Sequence, residues 1–201
     1  SDRSVLFVSN HTSYLDIVVL AAQLKATFVA KQEVAEWPGF GLLARLNRTV
    51  FVQRNARRSR EYRDEMHRRL AAGHSLILFP EGTSNDGNRV LDFSSTFFSV
   101  AENRILTDPT TVQPVAIAYT RLNGLPVGRS RRPLFAWYGD MTLVRHLWSV
   151  LGQSTVTVEI AFLPPVTIET CGSRKEMARH CQLLVATCVS DMLSGRPIRS
   201  I

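Results

Sequence analysis

A chain of 201 residues is long enough for one α/β domain with a sizeable core. Its hydrophobic fraction of 45% and charged fraction of 20% are those of a folded protein and exclude an intrinsically disordered chain. Lysine and arginine total 24 against 17 acidic residues, which gives a net charge of +7. Such a surface attracts nucleic acid, anionic lipid or a phosphorylated substrate, and composition does not choose among them.

The cysteines and the apolar runs indicate the setting. Cys181 and Cys188 lie seven residues apart in an apolar helical pattern, which predicts buried free thiols, and Cys171 has no C-x-x-C partner. Free thiols are typical of a reducing compartment such as the cytoplasm. The longest apolar run, Ile17–Ala22, is far too short to span a bilayer, and the chain starts without methionine. We therefore expect a single domain, 1–201, excised from a longer chain with an N-terminal membrane-associating segment.

Strand and helix patterns alternate along the chain. Short apolar runs predict strands at Ser4–Val8, Thr27–Ala30, Thr49–Gln53, Ser75–Phe79, Thr111–Tyr119 and Thr155–Phe162. Helical patterns cover Tyr14–Leu24, Gly39–Asn47, Ala56–Ala72, Ser94–Asn103, Thr142–Leu151 and a last helix opened by Ser173-x-x-Glu176. Pro114 predicts a bulge or a sheet edge in its strand. The alternation predicts one α/β domain with a mostly parallel central sheet flanked by helices.

A histidine and an aspartate follow the first predicted strand, in the stretch N-H-T-S-Y-L-D at 10–16. Histidine is the side chain best suited to accept a proton near neutral pH. A carboxylate bonded to its second ring nitrogen fixes the tautomer and stabilises the imidazolium. His11 and Asp16 can meet because the chain turns between strand and helix. The pair alone does not establish catalysis, since Ser13-x-x-Asp16 could equally be a helix capping box.

Two further segments supply anion-binding groups. The segment F-P-E-G-T-S at 79–84 follows a buried strand, and open α/β sheets place ligand crevices at the carboxyl ends of their strands. Glycine and small hydroxyl residues there let backbone N–H groups approach an anionic or carbonyl oxygen. Arg54 follows the third strand, and arginine binds phosphate through two parallel hydrogen bonds. The alternatives are an ordinary turn with a solvated Glu81 and a surface arginine. Together, however, the segments equip a site to move an acyl group onto a hydroxyl.

Four motifs in this order resemble those of the glycerolipid acyltransferases, the family that includes bacterial 1-acyl-glycerol-3-phosphate acyltransferase. They are N-H-x4-D at 10–16, a strand ending in arginine at 49–54, F-P-E-G-T at 79–83 and a proline-containing strand at 112–117. The resemblance implies that His11 deprotonates the acceptor hydroxyl with support from Asp16. The oxygen then attacks the thioester of acyl-CoA or acyl-carrier protein, without a metal, a bound cofactor or a covalent enzyme intermediate. The head-group site that the family implies comprises Arg54, Glu81, Gly82, Thr83 and, in a weaker supporting role, Lys31.

The acceptor that the resemblance implies first is 1-acyl-glycerol-3-phosphate, in phospholipid biosynthesis at the cytoplasmic face of the membrane. Many family members carry arginine after the threonine of the third motif, where this chain has Ser84. The run S-N-D-G at 84–87 resembles a branch that includes lyso-ornithine-lipid acyltransferases. Phe93-Ser94-Ser95 also replaces a common Phe-Lys pair. A lyso-ornithine lipid, or another lysolipid, is therefore the alternative acceptor.

Two surfaces bear on membrane contact. The helix Ala56–Ala72 is rich in arginine, partly neutralised by acidic residues at helical spacing, and fits either a solvated face or a surface on anionic lipid. An aromatic cluster with arginines around it comprises Phe135, Trp137, Tyr138 and Trp148. Packing in the core is expected to account for most of this cluster, with a share left for a bilayer interface.

Three other functions remain to be weighed. Nucleic-acid binding is disfavoured because no aromatic-rich basic strand or zinc spacing occurs. A serine hydrolase would need G-x-S-x-G, which is absent from the sequence. A non-catalytic lipid-binding module on the same fold stays open, although such a module has no need of a general base.

Overall fold

The computed structural model describes residues 4–31, 50–52, 59–102 and 109–198. The described strands are β1 Val5–Ser9, β2 Thr27–Lys31, β3 Val50–Val52, β4 Leu76–Leu78, β5 Thr111–Leu122, β6 Leu125–Pro126 and β7 Val156–Phe162. The described α-helices are α1 Leu15–Gln23, α2 Ser59–Ala71, α3 Leu143–Leu151, α4 Ile168–Cys171 and α5 Arg174–Leu193. Two further segments, Ser95–Glu102 and Arg132–Leu134, are 3₁₀ helices. The helix predicted at Gly39–Asn47 lies outside the described residues.

The strands form one mixed sheet in the order β3-β2-β4-β1-β5-β6, with β7 also paired to β5. The pairs among β1 to β5 are parallel, whereas β6 and β7 run antiparallel to β5. Parallel strands need crossover connections. α1 connects β1 with β2 and α2 connects β3 with β4, each passing one intervening strand of the sheet. The predicted α/β domain with a mostly parallel, helix-flanked sheet is therefore confirmed.

Side-chain alternation along the strands divides the core into two layers. Leu76 and Leu78 of β4 pack with α2, α5 and the 3₁₀ helix Ser95–Glu102 on one face. Ile77, between them, packs with Leu20 of α1 on the other face. Cys181 and Cys188 of α5 are free and buried in the first layer, as their spacing predicts. Both faces of the sheet are covered, as a parallel sheet requires.

The irregularity expected at Pro114 is found on the side of β5 that faces β7. β5 is an interior strand, but β7 ends opposite Pro114, and between the pairs Val115–Phe162 and Val112–Val166 three residues face two of β5. A further register shift lies between Tyr119 and Arg121. Pro114 is tolerated because its backbone faces the side on which β7 has ended. The Pro114 carbonyl there accepts from the N–H of Leu163, one residue past β7, and no ladder N–H is needed.

The topology sets the position of the candidate site. β1 and β4 are parallel neighbours, paired from Leu6 with Leu76 to Val8 with Leu78. The segments that follow them, with His11 and Glu81, therefore leave the sheet side by side at its carboxyl edge. Within the described residues, no helix combines the length and the apolar character needed to cross a bilayer.

Candidate active site

Asn10 fixes the point at which the chain leaves β1. Its Nδ2 donates to the carbonyl of Ile117 at 3.0 Å, and its Oδ1 accepts from the N–H of Ile117 at 3.0 Å. The side-chain amide thus pairs with the backbone of β5 as a neighbouring strand would. Because Asn10 is also buried, this pairing holds the next residue, His11, at a defined place on the sheet edge.

His11 and Asp16 meet as the sequence predicts. His11 Nδ1 lies 3.0 Å from Asp16 Oδ2, and the Asp16 side chain is fully buried while that of His11 is 19% exposed. A carboxylate accepts hydrogen bonds only, so the contact assigns the proton of a neutral imidazole to Nδ1. Nε2 is then left as the proton acceptor, which is the tautomer a general base requires.

Backbone amides hold the Asp16 carboxylate in place. Asp16 lies in the first turn of α1, and its Oδ2 accepts from the N–H groups of Thr12 and Ser13 at 2.6 and 2.8 Å. These donors satisfy a charge that would otherwise be very costly to bury. The same contacts shape the turn that brings Asp16 back to His11. The alternative of a capping box at Ser13 is not realised, because the Asp16 N–H donates to the Ser13 carbonyl and α1 has no side-chain cap.

The His11 ring is also fixed from the side. It stacks on Phe79, the first residue after β4, with ring centroids 4.1 Å apart and planes inclined by 18°. Phe79 in turn stacks on Phe28 of β2 at 6.3 Å. An imidazole held by a carboxylate at one nitrogen and by a stacked ring on its face is preorganised for proton transfer.

Glu81 lies beneath His11. Its Oε1 accepts from the backbone N–H of His11 at 2.9 Å, and its Oε2 accepts from Asn85 Nδ2 at 2.8 Å and from the N–H of Leu91 at 3.2 Å. Burial raises the pKa of Glu81 to about 7, assisted by the nearby charge of Asp16 and opposed by these three hydrogen bonds. Through the bond to His11, Glu81 connects the F-P-E-G-T motif at 79–83 with the N-H-x4-D motif at 10–16.

Glu81→Gln is expected to change how stability depends on pH. Folded Glu81 holds its proton to about pH 7 against a usual pKa of 4.5, so the parent loses stability as pH rises through that window. Glutamine stays neutral at every pH. The free energy of unfolding of the variant, taken relative to that of the parent, should therefore rise between about pH 5 and about pH 8. Urea unfolding of both proteins at the two pH values measures this difference.

The comparison isolates Glu81. The buried histidines His67 and His146, whose pKa values burial lowers, titrate identically in both proteins and cancel. Glu169→Gln, at an exposed position, is the matched control and should follow the parent at every pH. Parallel pH profiles for Glu81→Gln and the parent would show that the folded carboxyl titrates normally.

Tyr119 completes the support of Asp16 and is absent from the sequence prediction. Its hydroxyl donates to Asp16 Oδ1 at 2.7 Å, and its ring stacks on the buried Phe135 with centroids 5.5 Å apart. Burial, and secondarily the Asp16 charge, raises the pKa of Tyr119 well above its usual value, so the hydroxyl remains a donor at any working pH. Only the strand pairing of β5 beside β1 brings this side chain to the site.

Tyr119→Phe is expected to lower stability by about 1.5–3 kcal/mol, because one oxygen of a buried carboxylate loses its charge-assisted donor. The ring packing is retained, and kcat should fall by about ten-fold or less since the Thr12, Ser13 and His11 contacts remain. Urea unfolding and steady-state kinetics measure the two effects. Tyr138→Phe, at an exposed position, should match the parent in both. If Tyr119→Phe has the stability and the kcat of the parent, then Tyr119 does not support Asp16.

The loop at 84–88 packs against the back of the His11 segment. Asn85 Nδ2 reaches the carbonyl of His11 at 3.3 Å, and Ser84 Oγ donates to the carbonyl of Trp137 at 2.5 Å. Gly87 has φ of +75°, and a Cβ there would lie 3.1 Å from Thr12 Cγ2. A side chain at position 87 would therefore be strained and would press on the residue after His11.

The other predicted head-group residues are only partly described. Gly82, at φ +68°, and the exposed Thr83 follow Glu81 at the sheet edge, as predicted. Lys31 ends β2, but its side chain is outside the described part of the structure, and Arg54 lies outside the described residues altogether. Their roles at the head group stay predictions.

Arginines that the sequence prediction did not include stand behind the site. A cavity of about the size of a water molecule is lined by Asn10, Thr12, Tyr119, Arg89 and Arg132 among others. Arg132 donates to Asn88 Oδ1 and to the carbonyl of Leu193, both at 3.3 Å. The cavity thus has a positively charged wall next to the residues that hold the dyad. Over the described ranges, no group of three or more His, Cys, Asp or Glu side chains is arranged to bind a metal ion.

Comparison with known proteins finds acyltransferases that are similar to this chain. Lyso-ornithine lipid O-acyltransferases from Rhizobium meliloti and Brucella abortus are 42% and 45% identical over 198 and 199 residues. These matches cover 96% of this chain and 68% and 74% of the two relatives. A 1-acyl-sn-glycerol-3-phosphate acyltransferase from Neisseria gonorrhoeae is 31% identical over 162 residues, covering 80% of this chain and 60% of that protein.

A solved structure and a family model extend the comparison. The crystal structure of the 1-acyl-sn-glycerophosphate acyltransferase from Thermotoga maritima shares the fold, with a TM-score of 0.61 at 23% identity over 99% of this chain and 70% of that one. Residues 1–118, which include the His11–Asp16 pair, Glu81 and most of β5, match the model of the family described as Acyltransferase. The chain therefore belongs to the acyltransferase family.

Proposed function

We propose that this chain transfers a fatty acyl group from an acyl thioester to the free hydroxyl of a lyso-ornithine lipid. The observation that carries the mechanism is the 3.0 Å contact between His11 Nδ1 and the fully buried Asp16 carboxylate. It leaves Nε2 of His11 to take the proton of the acceptor hydroxyl.

The steps follow from that arrangement. His11 Nε2 removes the hydroxyl proton as the oxygen bonds to the thioester carbonyl carbon. Asp16 stabilises the imidazolium that forms. The tetrahedral intermediate collapses, the C–S bond breaks, and the thiolate of coenzyme A or of acyl-carrier protein leaves and takes the proton from His11. The products are an ester and a free thiol, with the histidine returned to its starting state.

The acceptor is proposed from the relatives and from Ser84. Four lyso-ornithine lipid O-acyltransferases are 34–45% identical to this chain, against 31% for the Neisseria glycerophosphate enzyme. Ser84 replaces the arginine that many family members have after the third motif, and its hydroxyl is occupied by the Trp137 carbonyl. This segment therefore offers less to a phosphate group than an arginine would. 1-Acyl-glycerol-3-phosphate, the first expectation from the sequence, becomes the second candidate and is favoured by the net charge of +7.

The test is release of free thiol together with ester formation, for the parent protein and a panel of acceptors. Lyso-ornithine lipid, 1-acyl-glycerol-3-phosphate and a neutral lysolipid are each paired with acyl-CoA and with acyl-carrier protein. A kcat/KM highest for lyso-ornithine lipid supports the proposal. Preference for 1-acyl-glycerol-3-phosphate would overturn the acceptor but keep the reaction. Lipid binding without transfer to any acceptor would favour a non-catalytic lipid-binding module.

We further propose that the reaction takes place at a membrane surface, where a lysolipid resides. The basic helix α2 gives this only limited support. Glu65 pairs with both Arg68 and Arg69, so part of its charge is neutralised within the helix. Arg57 and Arg58 lie outside the described residues.

A further inference from the structure

α3 exposes an apolar stripe that nothing in the described structure covers. Val144, Leu147, Trp148 and Leu151 fall on one face at i, i+3, i+4 and i+7, and their exposed fractions are 79%, 37%, 79% and 67%. Met141, just before the helix, is 38% exposed. A contiguous stripe of large apolar side chains is typical of a surface that contacts another molecule or a membrane. These five residues are called the α3 stripe below.

The opposite side of α3 is anchored to the protein. His146 is buried, and its Nδ1 lies 3.0 Å from the hydroxyl of Tyr14. Leu143 and Val150, on the same side, are half-buried. The apolar part of the helix is therefore wider than the protein can cover, and the uncovered remainder is the stripe.

The surroundings of the stripe are positively charged. Arg145 and Ser149 lie beside it on α3 and are exposed. The 3₁₀ helix Arg132–Leu134 contacts α3 and follows the exposed Arg129 and Arg131. Residues 129–152 contain four arginines and one acidic residue, Asp140, which gives 4 − 1 = +3 with histidine neutral. An apolar face with arginine at its margin and tryptophan within it suits a lipid headgroup boundary.

We propose that the α3 stripe inserts into the headgroup region of an anionic lipid surface and seats the enzyme on its substrate-bearing membrane. The inference rests on the proposed function, since a lysolipid acceptor is found in such a surface. Charge selects the occupant: the arginines complement anionic lipid, while the apolar side chains gain by leaving water.

The position of α3 connects this surface with the dyad. Tyr14, bonded to His146, lies two residues before Asp16, and its ring meets Trp137 edge-on with centroids 6.1 Å apart. The N–H of Trp137 donates to the carbonyl of Thr12, the residue after His11, at 3.0 Å. Docking through α3 would therefore hold the His11–Asp16 pair close to the lipid boundary.

Sedimentation with vesicles tests the surface without requiring turnover. The full chain is mixed with vesicles of phosphatidylcholine alone or of phosphatidylcholine with phosphatidylglycerol. Trp148→Ser/Leu151→Ser is expected to weaken binding to the mixed vesicles by ten-fold or more, about 1.4 kcal/mol. Arg145→Gln should weaken it about five-fold and leave binding to pure phosphatidylcholine unchanged. The matched control Leu183→Ser, at a 60% exposed position on α5, should bind as the parent does.

Tryptophan quenching identifies what covers the stripe. Brominated lipid should quench the parent more than Trp148→Phe, because only the parent places an indole at position 148 in the lipid. Equal quenching of the two, or unweakened vesicle binding by the double variant, would overturn the proposal. Protection of Trp148 from iodide in the absence of vesicles would also overturn the proposal, because the protein itself would then cover the stripe. A doubled mass would identify the cover as a second copy, and an unchanged mass would identify it as another segment of the chain.

The acyl-transfer assay separates this inference from the proposed function. The double variant should keep the parent's kcat on an acceptor dispersed in detergent and lose activity on the same acceptor in mixed vesicles. A parent that binds vesicles through the α3 stripe but transfers no acyl group would contradict the function alone. Equal acyl transfer by the parent and the double variant on the acceptor in mixed vesicles would contradict the proposed surface alone.

Discussion

His11→Ala is expected to lower kcat by about 10²–10⁴, the range for loss of a positioned general base. KM for the acceptor should change little, because the imidazole acts on the hydroxyl in the transition state and the remaining site is intact. Thiol release from a labelled acyl thioester, with the preferred lysolipid in excess, measures the effect.

The fold should survive the substitution. The His11 backbone N–H keeps its bond to Glu81, and its carbonyl keeps the contact with Asn85. Two contacts are lost. One is the Nδ1 bond to Asp16, whose Oδ2 keeps the N–H groups of Thr12 and Ser13 as donors. The other is the stacking on Phe79, worth about 0.5–1.5 kcal/mol in comparable ring pairs. Circular dichroism and urea unfolding check this.

His180→Ala is the matched control for His11→Ala. His180 is exposed on α5, on the opposite side of the sheet from α1, and its removal should leave kcat and stability unchanged. Should His11→Ala turn over at the parent's rate, another group must take the acceptor proton. Should the parent itself transfer nothing, the lipid-binding module becomes the better explanation of the fold.

The sequence predicted the meeting of His11 and Asp16 because the cause is local. A strand end, a tight turn and the first turn of a helix lie within seven residues, and the backbone N–H groups of Thr12 and Ser13 direct the carboxylate. The proximity of Glu81 to His11 was also predictable. It needs only that the first and third motifs follow strands that pair in parallel as neighbours.

The orientation of Glu81 was not predictable from the motif. The resemblance places it in the head-group site, whereas its three hydrogen bonds in the structure go to His11, Asn85 and Leu91. Its direction depends on how the loop from 84 to 91 folds back over the strand ends. Tyr119 was out of reach for a similar reason, since it stands 103 residues from Asp16 and meets it only through the pairing of β5 with β1.

The aromatic cluster shows the limit of periodicity. Helical spacing predicted α3, and the structure confirms it as Leu143–Leu151. The expectation that core packing accounts for most of the cluster holds for Phe135, which is buried, but is wrong for Trp148 and Tyr138, which are 79% and 36% exposed. Periodicity shows that a helix has an apolar side, while the share of that side that is covered depends on its neighbours in space.

Asp16→Asn is expected to separate the charge of the carboxylate from its place in the fold, with kcat lowered by about 10³–10⁴, as for the corresponding change in serine-protease triads. The asparagine oxygen can still accept from the N–H groups of Thr12 and Ser13. Its NH₂ group can donate to the Tyr119 hydroxyl, which is able to reverse its role. What disappears is the negative charge that stabilises protonated His11.

Asp16→Ala provides the contrast. It leaves two backbone N–H groups and the Tyr119 hydroxyl without their acceptor, at about 1–3 kcal/mol for each buried donor. We expect this variant to be strongly destabilised as well as inactive. The free energy of unfolding of Asp16→Asn should instead lie within about 2 kcal/mol of that of the parent. Asp64→Asn, at an exposed position on α2, is the matched control for the amide substitution.

The pair of Asp16 variants decides what the carboxylate does. Loss of activity in Asp16→Asn with stability retained means that the charge itself serves catalysis through His11. Activity retained in Asp16→Asn, together with unfolding of Asp16→Ala, would mean that Asp16 only shapes the turn. In that case the 3.0 Å contact with His11 Nδ1 would be a structural hydrogen bond. The orientation of the general base would then have to come from the Phe79 stack and the Glu81 bond to its backbone.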